Sequence, residues 1–241
     1  RNILLAVFEL TRGDIDSAIA IFARLLQIRQ PSGVVPTTLK PLRQLVEVEV
    51  GGQRSILGEG QHFISHKVNL QIDPAWKPGT VRVTFEEDLP LNPRAEQILK
   101  EATHIIVAPG HTYGTILPSL ALPALKEVIK KSAAKLWVVM TLLSTPRQTA
   151  GWSGEDFVRV YESYLGRKVD KVIANTRHLK VLLAPQQTWV EFTEHEHPYE
   201  LVKGDLAAVE DQTYGPGDVV PRAIVIHDKE KLEQVFRDIL V

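Results

Sequence analysis

Two hydroxyl-rich stretches stand where this chain has the chemistry to hold a phosphate. The first, Ala108-Pro109-Gly110-His111-Thr112-Tyr113-Gly114-Thr115, combines backbone-permissive residues with three hydroxyls, directly after an apolar run and ahead of a helical pattern. Backbone amides at such a helix start attract anions. The second, Thr141 to Thr149, again places hydroxyls after an apolar run, and its Arg147 has the planar fork that matches phosphate or carboxylate. The candidate ligand residues are therefore Pro109, Gly110, His111, Thr112, Tyr113 and Thr115, then Thr141, Thr145, Arg147 and Thr149, with Asn175 closing a third apolar run. The residues by themselves leave a plainer reading open, in which both stretches are capped strand-to-helix turns and Arg147 is solvated.

The elements that must position these loops follow from periodicity. Leu4, Leu5, Val7, Phe8 and Leu10 make a short helical face that Gly13 ends, and Asp14 is placed to cap a helix carrying Ile15, Ala18, Ile19, Phe22, Leu25 and Leu26. The period then changes to two at Val46, Val48 and Val50, before a Gly51-Gly52 hairpin signal, and again at Val68, Leu70 and Ile72 and at Val81, Val83 and Phe85. Residues from about 41 to 86 are thus expected to form an antiparallel lobe within a single α/β domain spanning 1–241. From Asn92, a cap followed by Pro93, helices and strands alternate, with Ile98 and Leu99 expected on the buried side. Strands are expected at Ile105 to Val107, Leu136 to Met140, Val172 to Ala174 and Ala223 to Ile226, and helices at Leu122 to Lys131, at Ser153 to Leu165 and after Asp228. This order predicts a Rossmann-like, doubly wound, mainly parallel sheet. Ligands of such sheets bind beyond the carboxyl ends of the strands, where the loops after Val107, Met140 and Ala174 lie.

Other chemistries have little support. The chain has no cysteine, which removes disulfides, thiol nucleophiles and thiolate metal sites. Lys and Arg number 28 against 29 for Asp and Glu, a net charge of −1 that offers no field for nucleic acid. No apolar run reaches the length of a membrane span, and a cytoplasmic location is expected. Glu194-His195-Glu196-His197 carries metal-ligand donors without helical metal spacing and reads as a solvated charge run. No metal site is assigned. His62 and His66 read as surface, no nucleophile elbow occurs, and Trp76, Trp137 and Trp189 read as packing, while Trp152 follows the second loop and is placed to cover a ring. The chain opens at Arg1 rather than Met, which reads as a truncated start.

Residues 95–175 resemble the gluconeogenesis-factor-like branch of the 2-phospho-L-lactate transferase family. Members of that branch read Gly-Pro-Gly-Ser-Leu-Tyr-Thr-Ser ahead of an apolar helix. Here Pro109, Gly110, Tyr113, Gly114-Thr115, Pro118 and Leu122-Pro123 stand in those places. Ser144, Pro146, Thr149, Gly151, Trp152 and Asp156 match the family's second segment, and Asp170 to Asn175 its next strand. Weaker matches are Asn2 with Gly13-Asp14, Val35-Pro36-Thr37, Gly58-Glu59, Gly204-Asp205-Leu206 and His227-Asp228. The sequence departs at Ala108 for Gly, His111 for a small polar residue, Arg147 for Gly and Gln148 for Glu, and the family's glycine-rich first loop has no counterpart. The resemblance implies a nucleotide or nucleotide-sugar ligand such as a UDP-sugar, and a binding or regulatory role linked to central carbon metabolism and cell-envelope synthesis. Two alternatives stay open: a phospholactate-transferase-like enzyme using magnesium, and an interaction protein whose ligand site has decayed. Homo-oligomerisation is left open as well.

Overall fold

The computed structural model describes residues 7, 10, 15–27, 33–50, 53–59, 77–146, 148–210 and 225–240. Within them the first helix, α1, spans Ile15–Leu25 and buries Ala18 and Ala23. Leu25 and Leu26, expected on its apolar face, are exposed. Gly13 and Asp14 lie outside the described residues, as does most of the preceding apolar run.

Period two gives strands β1 (Gln44–Val50), β2 (Gln53–Glu59) and β3 (Val81–Phe85), in the antiparallel order β2-β1-β3. Val46, Val48, Val81 and Val83 are buried, so the alternation does place one face on the core. Val50 opposes Gln53, the register that a two-residue connection requires. The Gly51-Gly52 turn itself, and the alternation at Val68 to Ile72, lie outside the described residues. Among the described residues the outer edge of β3 meets side chains and no strand. The Tyr164 hydroxyl accepts from the Val83 amide at 2.7 Å and donates to the Val83 carbonyl at 3.2 Å, and the Tyr113 hydroxyl reaches the Val81 carbonyl at 3.4 Å. Buried backbone groups need such partners, and these fasten the lobe to the rest of the molecule.

The α/β part begins with α2 (Pro93–Glu101), where the Asn92 side chain accepts from the Arg94 amide and Pro93 opens the helix as expected. Leu99 packs on the core but Ile98 is exposed, because adjacent helical residues diverge by about 100° and this short helix turns only one of them inward. There follow β4 (His104–Val107), a π-helical turn (Thr112–Ile116), α3 (Leu117–Leu120), α4 (Pro123–Lys131), β5 (Lys135–Val139), α5 (Gly154–Leu165) and β6 (Lys171–Asn175). After these come β7 (Glu200–Gly204), β8 (Ala207–Val209), β9 (Val225–His227) and α6 (Lys229–Ile239). Strands β4-β5-β6-β7 form a parallel sheet in that order, and β8 pairs antiparallel with β9.

Alternate residues of β5 face opposite layers. Leu136 and Val138 join the core built with α4 and α5, while Val139 meets Ile173, Leu206 and the apolar side of α6. Helices thus cover both faces, as a doubly wound sheet requires. The exception is Ile106, expected to be buried and in fact 41% exposed, because β4 is the edge strand and lacks a neighbour among the described residues on its outer side. The crossover from β6 to β7, residues 176–199, contains no helix.

Candidate functional site

The first loop leaves β4 through Ala108-Pro109-Gly110. A Cβ on Gly110 would lie 2.7 Å from the Thr115 hydroxyl, so glycine is dictated by close approach. His111 then caps the turn that follows: its Nδ1 accepts from the Gly114 amide at 2.9 Å, and its carbonyl accepts from the Thr115 and Ile116 amides at 2.8 and 3.1 Å. An accepting Nδ1 places the imidazole proton on Nε2, which leaves that N–H as a donor. Loss of hydration among the surrounding atoms holds the His111 pKa below its ordinary value, even though part of the side chain is exposed. The Thr115 hydroxyl donates to the His111 carbonyl at 2.8 Å and the Ser119 hydroxyl to the Thr115 carbonyl at 2.7 Å.

Two candidates in this loop point the other way. Thr112 and Tyr113 are buried; the Thr112 hydroxyl sits 3.4 Å from that of Tyr161, and Tyr113 reaches the antiparallel lobe. Burial pushes the Tyr113 pKa far up and that of Tyr161 to about 12. Both tyrosines and Thr112 are therefore packed in the core, away from the exposed face of the loop. The spacing put them in a loop, and the helical turn rotates them inward.

The second loop leaves β5, the parallel neighbour of β4, with Val107 opposite Val138, so both loops start from one edge of the sheet. Several of its described polar groups are nevertheless committed within the protein. Leu143 bridges antiparallel to Trp189, the Ser144 amide donates to the Thr188 carbonyl at 2.8 Å, the Val190 amide to the Leu142 carbonyl at 3.0 Å, and the Ser144 hydroxyl accepts from the Thr188 amide at 2.9 Å. The Thr149 hydroxyl is buried and accepts from the Thr145 amide at 2.8 Å, while the Thr141 hydroxyl contacts the Leu143 carbonyl at 3.4 Å. Thr149 thus serves the loop's own closure. Arg147 lies outside the described residues.

Helix α5, which follows, starts with the expected capping box between Ser153 and Asp156. Its end is sealed. The Gly154 amide donates to the Glu191 carbonyl at 2.7 Å, and the Phe192 ring lies so close that a Cβ on Gly154 would fall 2.3 Å from it. The Glu155 carboxylate accepts from the Thr193 amide and hydroxyl at 2.8 and 2.6 Å. Burial opposes its ionisation, yet these bonds prevail and its pKa lies below the ordinary carboxylate value. Trp152 is buried edge-on against Phe157 at 5.1 Å, so it packs rather than covering a ring.

At the end of β6, Asn175 also organises the chain. Its amide nitrogen donates to the Arg177 carbonyl at 2.7 Å, and its oxygen accepts from the amides of Arg177 and Leu206 at 3.2 and 2.9 Å. Of the neighbours gathered here, Asp205 and His227 are singled out by sequence only as weak family matches, and Arg177 and Lys231 not at all. Arg177 and Lys231 both bond Asp205 at 3.0 Å, and the Lys231 bond above all holds the Asp205 pKa low. His227 donates through Nε2 to the Met140 carbonyl at 3.1 Å. The signal for them was the strand-end rule applied to β7 and β9 as well as to β4, β5 and β6.

Residues 1–214 match the family described as 2-phospho-L-lactate transferase CofD. The chain belongs to this family. It is 31% identical over 190 residues to the gluconeogenesis factor of Listeria innocua, a match over 76% of this chain and 53% of that protein. It is 27% identical over 186 residues to the gluconeogenesis factor of Bacillus subtilis, covering 74% and 52%. The chain therefore spans about half the length of the curated relatives it matches. In fold it is similar to a Bacillus halodurans protein of the UPF0052 family, with a TM-score of 0.75 and 18% identity over 97% of this chain and 70% of that one.

In this member of the CofD family, His111 supplies the turn's cap from its imidazole. Among the described residues no three His, Asp or Glu side chains gather to hold a metal. In the run Glu194 to His197 the first three residues are exposed, but His197 is tucked in, stacked on Tyr199 at 5.1 Å and bonded to the Thr193 carbonyl at 3.2 Å. No described helix is long and apolar enough to cross a membrane. His62, His66 and Trp76 lie outside the described residues.

Proposed function

We propose that the chain binds a nucleotide or nucleotide-sugar at its first loop and acts in the cytoplasm as a binding or regulatory factor of the gluconeogenesis-factor kind, linked to central carbon metabolism and cell-envelope synthesis. The observation that carries this reading is the state of the loop after β4. Residues His111 and Thr115 are exposed and Gly110 is half-buried at the carboxyl end of a parallel strand, while the described part of the second loop bonds to itself and to the segment Thr188 to Val190. A phosphate there gains charge-assisted hydrogen bonds, each worth about 1.5–3 kcal/mol.

Calorimetric titration with a panel of nucleotides and UDP-sugars tests the reading. His111→Asn keeps a capping oxygen but removes Nε2–H, and affinity should fall about tenfold or more if that donor meets the phosphate. Arg147→Ala should act in the same direction. Equal affinity in His111→Asn would remove the imidazole from the site, and no binding by the parent chain would favour the interaction-protein reading. The transferase reading is supported by the description of the family; its test is turnover of a phosphorylated hydroxy acid with an activated nucleotide in the presence of magnesium.

A further inference from the structure

We propose that the cavity between the antiparallel lobe and α3 holds the base of the bound nucleotide, taking an uncharged ring that offers an N–H donor. The inference rests on the nucleotide reading of the first loop and gives a place to the half of the ligand that carries no charge. The cavity, of about 280 Å³, is walled by Pro36, Leu42, Phe85, Pro118 and Leu122. No charged side chain lines it, so a phosphate has no partner there, whereas a flat ring gains apolar cover on its faces. Leu42 and Phe85 pack on the core, Leu122 is buried within it, and the Tyr113 hydroxyl contact to the Val81 carbonyl ties β3 to the first loop. The walls are thereby set before a ligand arrives. Ser119 lines both this cavity and the space beside Pro109 and Thr115, so the cavity begins about one helical turn, roughly 5 Å, from the first loop.

Three hydroxyls in the lining, those of Thr37, Thr38 and Ser119, select the ring. The Ser119 hydroxyl donates to the Thr115 carbonyl at 2.7 Å and the Thr38 hydroxyl to the Lys40 carbonyl at 2.9 Å. A hydroxyl whose proton is committed keeps only its lone pairs, so both present acceptors to the cavity. The Asn92 amide fixes the Thr37 backbone by donating to its carbonyl at 2.8 Å, while the Thr37 hydroxyl bonds no described residue and can donate. A ring N–H beside a carbonyl, as in uracil and guanine, answers the acceptors and the donor together. The corresponding ring nitrogen of cytosine or adenine is itself an acceptor and would face an acceptor oxygen, which leaves two lone pairs opposed.

Ligand-observed NMR titration of the chain tests the assignment, reading proton signals of uridine, N3-methyluridine, guanosine and N1-methylguanosine and phosphorus signals of inorganic pyrophosphate. Uridine or guanosine should bind, and methylation of the ring nitrogen should weaken it by about tenfold. Ser119→Ala and Thr37→Val should each weaken the nucleoside by about three- to tenfold and leave pyrophosphate affinity unchanged. Thermal melts of both variants should match the parent, which separates lost binding from lost fold. Equal affinity for methylated and unmethylated nucleosides would overturn the proposal, since a sugar seated in the cavity would not sense the ring nitrogen. Nucleoside binding untouched by both variants, or no nucleoside binding, would overturn it as well. Pyrophosphate binding without nucleoside binding sinks only the cavity, and the reverse sinks only the phosphate role of the first loop.

Discussion

The loops after β4 and β5 look alike as sequence, each a threonine-rich stretch between an apolar strand and a helix, yet one is open and the other is shut. In the first, the backbone turns around His111, which takes the Gly114, Thr115 and Ile116 amides and the Thr115 hydroxyl, while residues His111 and Thr115 remain exposed. In the second, the segment Thr188 to Val190 lies antiparallel against Leu142 to Ser144, Thr149 closes the turn on Thr145, and the Glu191 carbonyl occupies the first amide of α5. The lesson is that a hydroxyl or a helix start is available to a ligand only if the chain has not already used it. Which one is used depends on a segment some forty residues downstream, as the Ser144–Thr188 pairing shows.

The largest expected effect comes from breaking the seal. Gly154→Ala drives a methyl group into the Phe192 ring, and overpacking of this sort costs about 1–3 kcal/mol or more. Urea denaturation should show that loss, and an unchanged midpoint would mean that Phe192 does not lie over the helix end. Thr149→Val should cost about 1–3 kcal/mol by stripping the Thr145 amide of its buried acceptor, whereas Thr115→Val in the open loop should stay within about 0.5 kcal/mol. Equal losses in that pair would erase the contrast between the loops.

A smaller effect attaches to the cap. His111→Ala should lower stability by about 0.5–2 kcal/mol, and His111→Asn, whose side-chain oxygen can take the Gly114 amide, should recover most of it. Thermal melts of the two variants against the parent measure this. If both lose equally, the imidazole holds the loop by packing and not by the hydrogen bond.

The smallest effect is a two-step response to acid. The folded pKa of His111 lies below the unfolded value of 6.5, so its neutral form is favoured and its contribution is complete above that pH. The contribution is lost as pH falls through the folded pKa. His227, lowered by burial against the opposing bond to the Met140 carbonyl, adds to the same window. Glu155 is also depressed, from 4.5, so the seal weakens only in a lower window. Hydrogen exchange from pH 7 to 4 should therefore loosen residues 111–116 before residues 191–193, and His111→Asn should reduce the first step. The reverse order would contradict the assignment of neutral His111 as the cap.

Much of the fold was legible in local pattern. Ser153 with Asp156, Asn92 with Pro93, and the β1 alternation all give the elements they announce, because caps and periodicity depend on neighbours within a few residues. The site was legible in part. The strand-end rule placed the two loops at the carboxyl ends of neighbouring parallel strands, and the family motif singled out Gly110, where a Cβ would meet the Thr115 hydroxyl. The pattern did not show that Thr112, Tyr113 and Thr149 turn inward, which the π-helical turn, the Tyr113 contact to Val81 and the Thr149 bond to the Thr145 amide decide.

The sequence by itself determined the alternation of strands and helices, the antiparallel lobe before them, and the family, since each rests on residue type at short spacing. Tertiary structure alone decided that β4 is an edge among the described strands, that Tyr164 and Tyr113 hold the lobe by its β3 backbone, and that the loop after β5 bonds to a segment far downstream while the loop after β4 stays exposed. Those outcomes depend on contacts between residues such as Val83 and Tyr164, far apart in the chain, whose hydrogen bonds exist only once the sheet and its helices have packed.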